Sequence, residues 1–208
     1  MLKRIYIDNF RGLVNFEMNF DSINLFLGGN GTGKSSVFEV LRKIQLFISG
    51  DDKVEGIFKS ADCTRWQTSP VQRFELEIAG NGGSYKYEFA IRHNQEKSHV
   101  EYERLWFNNQ ALLKSEEGEI KIFQDDYEEV VKTSLPSRFQ LVGSLLYLFT
   151  VDSATKLDWF TKRMQRFIIV QIIPSLMLNR GSLDENAPPS LQAACEELQR
   201  LLPLLNNL

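Results

Sequence analysis

The sequence predicts an α/β fold with an antiparallel β subdomain and a helical C-terminal segment, and three observations carry that expectation. A glycine-rich run, Gly28-Gly29-Asn30-Gly31-Thr32-Gly33-Lys34-Ser35, stands between an apolar pentapeptide and a stretch with helical apolar spacing. From Val71 onward, apolar residues alternate with charged ones on both sides of a Gly-Asn-Gly-Gly turn. After Asp125 the period of two gives way to helical spacing.

In chain order, Leu2 to Ile7 is the first expected strand, followed by the turn Asp8-Asn9-Phe10-Arg11-Gly12. In Leu13 to Phe20, Val14, Phe16, Met18 and Phe20 alternate with polar residues, the pattern of a half-buried strand. Ile23-Asn24-Leu25-Phe26-Leu27 reads as a short buried strand that ends at Gly28. Val37, Val40, Leu41, Ile44, Phe47 and Ile48 then form one helical stripe, with Gly50 as its stop.

Phe74, Leu76 and Ile78, then Tyr85, Tyr87, Phe89 and Ile91, flank Gly80-Asn81-Gly82-Gly83 and predict a hairpin. Further strands are expected at Val100 to Phe107 and Glu119 to Phe123, with their aromatic residues as sheet core. Ser153 is a candidate cap for a helix carrying Leu157, Phe160, Met164 and Phe167, with a strand at Ile168 to Ile173 and an amphipathic helix after Pro188-Pro189-Ser190. The expected divisions are residues 1–70 for the strands, glycine-rich loop and first helix, 71–124 for an antiparallel β arm, and 125–208 for a helical segment and tail.

The glycine-rich run satisfies G-x-x-x-x-G-K-[ST] in full, the Walker A pattern. Glycines let such a loop curl until successive backbone N–H groups converge on an anion, and the following helix adds the positive end of its dipole. Lys34 is placed to reach the β- and γ-phosphates of a nucleoside triphosphate, and the Ser35 hydroxyl to ligate Mg²⁺. The strand–loop–helix context is the one this chemistry requires, so the fold narrows to a P-loop NTPase. Two strands precede the one that enters the loop, which argues against the simplest nucleotide-kinase layout.

Composition bounds the remaining possibilities. With 208 residues, 43% of them apolar, the chain can form one substantial core or one core with a small subdomain. The 24 basic and 27 acidic residues leave a net charge of −3, so no global attraction to a polyanion is expected. Lys162, Arg163 and Arg166 read as a solvated helix face. No apolar stretch is long enough to span a membrane, and Met1 to Tyr6 lacks the apolar core of a secretory signal. Cys63 and Cys195 have no metal-type spacing, and a reducing, cytoplasmic setting is expected.

The layout of two strands, a third strand and a G-x-N-G-x-G-K-S-S loop resembles the ABC-type ATPase heads of the RecF, SMC and OLD nuclease group. The opening Leu2-Lys3-Arg4-Ile5-Tyr6-Ile7-Asp8-Asn9-Phe10-Arg11-Gly12 is similar to the hxxhxhxNFR start of those proteins, here closest to AAA family ATPases of the OLD-like kind, several of which act in defence against phage. The resemblance implies ATP as ligand with Mg²⁺. It implies that Gly28, Asn30, Gly31, Thr32, Gly33, Lys34, Ser35 and Ser36 line the phosphates, and that Arg11 approaches the nucleotide from the strand before the loop. It also implies ATP acting as a dimerisation switch, with hydrolysis as the reset.

The chain departs from that pattern downstream. Members of the group carry an LSGGQ-like signature, a Walker B strand ending in Asp-Glu, and a switch histidine, and none is found here. The nearest approach to a Walker B strand is Leu146 to Asp152, where Ser153 stands in place of the Glu; Ile120 to Asp126 alternates like an exposed strand. His93 and His99 flank an expected turn and read as surface residues. The catalytic residue is therefore unassigned, and the chain is expected to be the N-terminal portion of a longer ATPase. Its expected partners are ATP and either a second copy or a completing C-terminal half, with DNA or a nuclease left open and no membrane. Two other readings stand beside it, a non-catalytic nucleotide-responsive interaction module and a P-loop phosphotransferase with Arg104 or Arg163 as lid candidates.

Overall fold

The computed structural model describes residues 1–94, 97–136, 141–149 and 155–169. They fall almost wholly in one compact unit, Met1–Phe167. Its framework is an eight-stranded sheet: β1 (Leu2–Asp8), β2 (Phe16–Asn19), β3 (Val71–Gly80), β4 (Gly83–His93), β5 (Ser98–Phe107), β6 (Gln110–Glu116), β7 (Glu119–Phe123) and β8 (Glu129–Ser134). The strand order is β2-β1-β3-β4-β5-β6-β7-β8, and every neighbouring pair is antiparallel. The sheet runs without a break across residue 70, because β1 pairs with β3.

Turn chemistry sets the register of the meander. Asn81-Gly82, Asn108-Asn109 and Glu117-Gly118 each place two successive residues at positive φ, as two-residue hairpin connections that match strand twist require. With that register, Ile5, Leu76 and Tyr87 lie side by side on one face, and so do Ile7, Phe74 and Phe89. All six are fully buried. The opposite face is charged: Arg4 of β1 pairs with Glu17 at 2.9 Å, Glu75 at 2.8 Å and Glu77 at 3.3 Å. Such surface pairs each contribute little stability, so the buried face holds the sheet's fold.

Helix α1 (Lys34–Ser49) covers that face with Val37, Val40, Leu41, Ile44, Phe47 and Ile48, the stripe expected from spacing. Gly50 ends it in the left-handed conformation. The Phe47 ring stacks on Phe89 at 4.9 Å, Phe89 on Phe74 at 5.0 Å, and Phe58 packs on both. Short helix α2 (Val54–Ile57) follows, then α3 (Leu145–Phe149) and α4 (Lys156–Gln165). Helix α4 buries Leu157, Phe160 and Met164, and Thr155 caps it by accepting from the Asp158 N–H.

Several local expectations are corrected. Ile23 to Leu27 forms no strand: Ile23, Leu25 and Leu27 are 89%, 80% and 82% exposed, because no strand lies beside them among the described residues. Helix α3 occupies most of the Leu146 to Asp152 run read as the nearest Walker B approach, and Asp152 lies outside the described residues. β8 lies in the stretch expected to be helical; its exposed, mixed composition gives no period to read. The Ser153 cap, the rest of the Ile168 to Ile173 strand from residue 170 on, and the helix after Pro188 fall outside the described residues.

His93 is the last correction: it is buried, not a surface residue. Its Nε2 faces Gln72 Oε1 at 3.0 Å and its Nδ1 faces Ser98 Oγ at 2.8 Å. Because the Gln72 amide N–H donates to the Asn9 carbonyl, its oxygen must accept, so His93 carries its proton on Nε2.

Candidate functional site

The glycine-rich loop sits beside the β1–β2 turn, at the N-terminus of α1. Gly33 caps the helix at φ +90°, and a Cβ there would lie 3.1 Å from the Leu13 side chain in that turn. Only glycine combines that conformation with so close an approach. Gly28, at φ +156°, opens the loop, and a Cβ on it would come within 2.9 Å of Thr32 Oγ1.

Backbone accounting defines what the loop offers. The Ser36 and Val37 N–H groups both donate to Gly33 O, at 3.0 and 3.3 Å. No N–H from Gly28 through Ser35 has an acceptor among the described residues. The N-terminus of α1 also has no side-chain cap and no acidic residue in its first turn. A row of open donors at an uncapped helix N-terminus is an anion site by its dipoles alone.

Lys34 closes the loop on itself. Its ammonium donates to Gly28 O and Gly29 O, both at 2.6 Å, and to Thr32 Oγ1 at 3.3 Å, while the Thr32 hydroxyl donates to Gly29 O at 3.0 Å. Asn30 and Ser35 are exposed and Ser36 is half-buried. The Ser35 hydroxyl has no protein partner among the described residues, which suits a single oxygen ligand for a hydrated Mg²⁺.

Arg11 lies in the same β1–β2 turn, at φ +51°. Its guanidinium is held by Glu39 of α1 at 2.6 Å and by Asp62 at 3.2 Å, and lies over the Phe10 ring at 5.4 Å. The two carboxylates were not foreseen, and their sequence distance from Arg11 leaves no signal to find them by. Asn9 was also missed as a structural hub. Fully buried at φ +61°, it donates from its side chain to Ser69 O and Val71 O and accepts from the Thr64 N–H.

Glu103 is a further buried titratable group. Its carboxylate accepts from the Tyr87 hydroxyl at 2.7 Å, the Ser144 hydroxyl at 2.6 Å and the Leu145 N–H at 2.7 Å, and burial raises its pKa. It anchors the start of α3 to the sheet. The described residues hold no cluster of His, Cys, Asp and Glu fit for a metal ion, and no helix long and apolar enough to cross a membrane. Asp126 is exposed in the β7–β8 connection, five strand spacings from β1.

An open N–H row and the lysine of a Walker A pattern give this loop the chemistry of an anion-binding site, with Arg11 in the adjoining turn. Residues 1–79 match the family model described as the AAA ATPase domain, a match in keeping with the resemblance of this N-terminal portion to ABC-type AAA ATPases of the RecF/SMC group. Over 101 residues the chain is 35% identical to the DNA replication and repair protein RecF of Leptospira biflexa serovar Patoc, in strains Patoc 1 / Ames and Patoc 1 / Paris. The alignment covers 46% of this chain and 25% of each relative, so the chain spans about a quarter of the length of the curated relatives it matches.

Proposed function

We propose that the chain binds MgATP through the Gly28–Ser36 loop and acts as the N-terminal lobe of an ABC-type head, with ATP as a conformational and dimerisation switch in a DNA-related process. The observation that carries this reading is the uninterrupted row of backbone N–H groups without acceptors, from Gly28 through Ser35. Triphosphate oxygens would take up those donors and draw the Lys34 ammonium off the Gly28 and Gly29 carbonyls, exchanging neutral acceptors for charged ones. Ser35 would hold Mg²⁺, which when bound neutralises phosphate charge. Arg11 would turn toward the phosphate tail from its carboxylate partners. The names of the relatives support the DNA-related role.

Titration calorimetry of the 208-residue chain with MgATP tests the proposal. Saturable one-site binding, weaker for AMP than for ATP, is the expected outcome; no heat at millimolar nucleotide would overturn it.

A further inference from the structure

The basic residues of α4 are exposed, as their spacing predicts, yet they do more than face solvent. Lys162, Arg163 and Arg166 line a cleft of about 380 Å³ together with Asp158, Trp159 and Asn81 of the β3–β4 turn. That volume lies within the range of small-molecule sites. The aromatic wall of the cleft is fixed in place. The half-buried Trp159 ring lies flat on the buried Tyr85 ring, with centroids 5.0 Å apart and 10° between planes. It also crowds Gly80 so closely that a Cβ there would overlap the indole.

The charges of the cleft do not balance. Lys162 is held at 3.0 Å by the buried Asp158 carboxylate, which cancels it. Arg163 and Arg166 have no carboxylate partner among the described residues. Nor do they cap the helix, because the side-chain amide of Gln45 in α1 donates to the Met164, Gln165 and Phe167 carbonyls at 3.2, 3.0 and 2.8 Å. The C-terminal dipole of a helix supplies only about half an elementary charge, too little to offset two guanidiniums. Gln45 stands about three turns beyond Lys34, roughly 16 Å along the axis of α1, so the cleft beside it is apart from the glycine-rich loop.

We propose that this cleft binds a phosphate monoester, with the phosphoryl oxygens between Arg163 and Arg166 and the esterified group against Trp159. A monoester carries a charge of about −1.5 to −2 at neutral pH, which matches two unpaired guanidiniums, whereas a diester carries about half of that. Each guanidinium can donate two parallel N–H bonds to phosphoryl oxygens, a fork that lysine lacks. The site does not depend on the nucleotide reading above.

The test follows the indole N–H resonances of the three tryptophans, Trp66, Trp106 and Trp159, in the 208-residue chain bearing Lys34→Ala, which weakens the loop as a competing phosphate site. Trp66→Phe and Trp106→Phe assign the Trp159 signal. Phenyl phosphate is expected to shift that signal saturably, and Arg163→Gln combined with Arg166→Gln to weaken the binding by about tenfold or more. Both arginines are exposed and their side chains make no hydrogen bond or ion pair among the described residues, so the double variant should keep the parent's circular dichroism and melting temperature. With Lys34 intact, the double variant should also keep the parent's MgATP affinity, so the two sites fail separately. O-phospho-L-serine distinguishes the source of the ester: tighter binding of phenyl phosphate points to a nucleotide-like ligand, and tighter binding of phosphoserine to a phosphorylated protein side chain. No saturable shift, a shift that sodium chloride of equal ionic strength reproduces, one that survives the double variant, or equal affinity for the diester dimethyl phosphate would each overturn the proposal.

Discussion

The Lys34 ammonium donates to the Gly28 carbonyl at 2.6 Å, six residues back along the chain, so the cation that would grip a phosphate holds the mouth of its own loop. Any anion entering the loop competes with two backbone carbonyls and a hydroxyl for that ammonium. Charged acceptors win such a contest, since charge-assisted hydrogen bonds are about twice as strong as neutral ones.

Lys34→Ala is therefore expected to weaken MgATP binding by roughly ten- to hundredfold, the equivalent of about 1.5 to 3 kcal/mol for one charged hydrogen bond. Titration calorimetry on parent and variant checks it. Equal affinities would remove Lys34 from the site.

Arg11→Ala is expected to weaken ATP more than AMP, because in the proposed site the guanidinium would meet the phosphate tail that AMP lacks. Glu39→Gln, which releases one of the two carboxylate holds on the guanidinium, should move ATP affinity in the opposite direction. Identical losses for ATP and AMP in Arg11→Ala would mark the arginine as a structural tie between the turn, α1 and Asp62.

The chain alone is expected to bind MgATP yet turn it over at close to background rate. Phosphoryl transfer depends on positioning and on preorganised charge, and no carboxylate has been assigned to orient water. Thermal protection by nucleotide without matching phosphate release is the expected pair of readings. Turnover of about 1 s⁻¹ or faster, abolished by Lys34→Ala, would contradict it and send mutagenesis to Asp152 and Asp126.

Stability is expected to fall in mild acid through His93. Burial lowers its pKa below 6.5, so between that lowered value and 6.5 the unfolded chain binds the extra proton and the folded chain does not. Unfolding is then favoured as pH falls, by at most about 1.4 kcal/mol per pH unit for one group. His99, lowered by burial and by Arg92, adds in the same direction, whereas Glu103, raised by burial, acts in the opposite one. Comparing melting temperatures at neutral and mildly acidic pH isolates His93: the drop should be smaller in His93→Gln than in the parent, and an equal drop would exclude it.

Local signals were the legible ones. Helix α1 was readable because its six buried residues recur at the helical period, and the β3–β4 hairpin because Asn81-Gly82 can adopt positive φ twice. Ile23 to Leu27 misled because an apolar run reports a demand for burial without saying what supplies it. His93 was misread because its partners are a glutamine 21 residues away and a serine across a turn, which no window of sequence brings together. The loop's residues were legible as a motif, but its closure by Lys34 was not, since that depends on where two carbonyls point.

The Asn9-Phe10-Arg11 corner divides its labour unevenly. Asn9 and Phe10 have no solvent exposure at all, and Asn9 needs both ends of its amide, two donations from nitrogen and one acceptance at oxygen. Aspartate at that position would present oxygens to the Ser69 and Val71 carbonyls and repel them. Two letters of the tripeptide are therefore the hardware of a corner that fastens residues 64–71 against the first strand, and only the third reaches the surface, where Glu39 and Asp62 hold it. A chain that kept Asn-Phe and lost Arg would keep the buried half of this corner while giving up its ionic ties to Glu39 and Asp62.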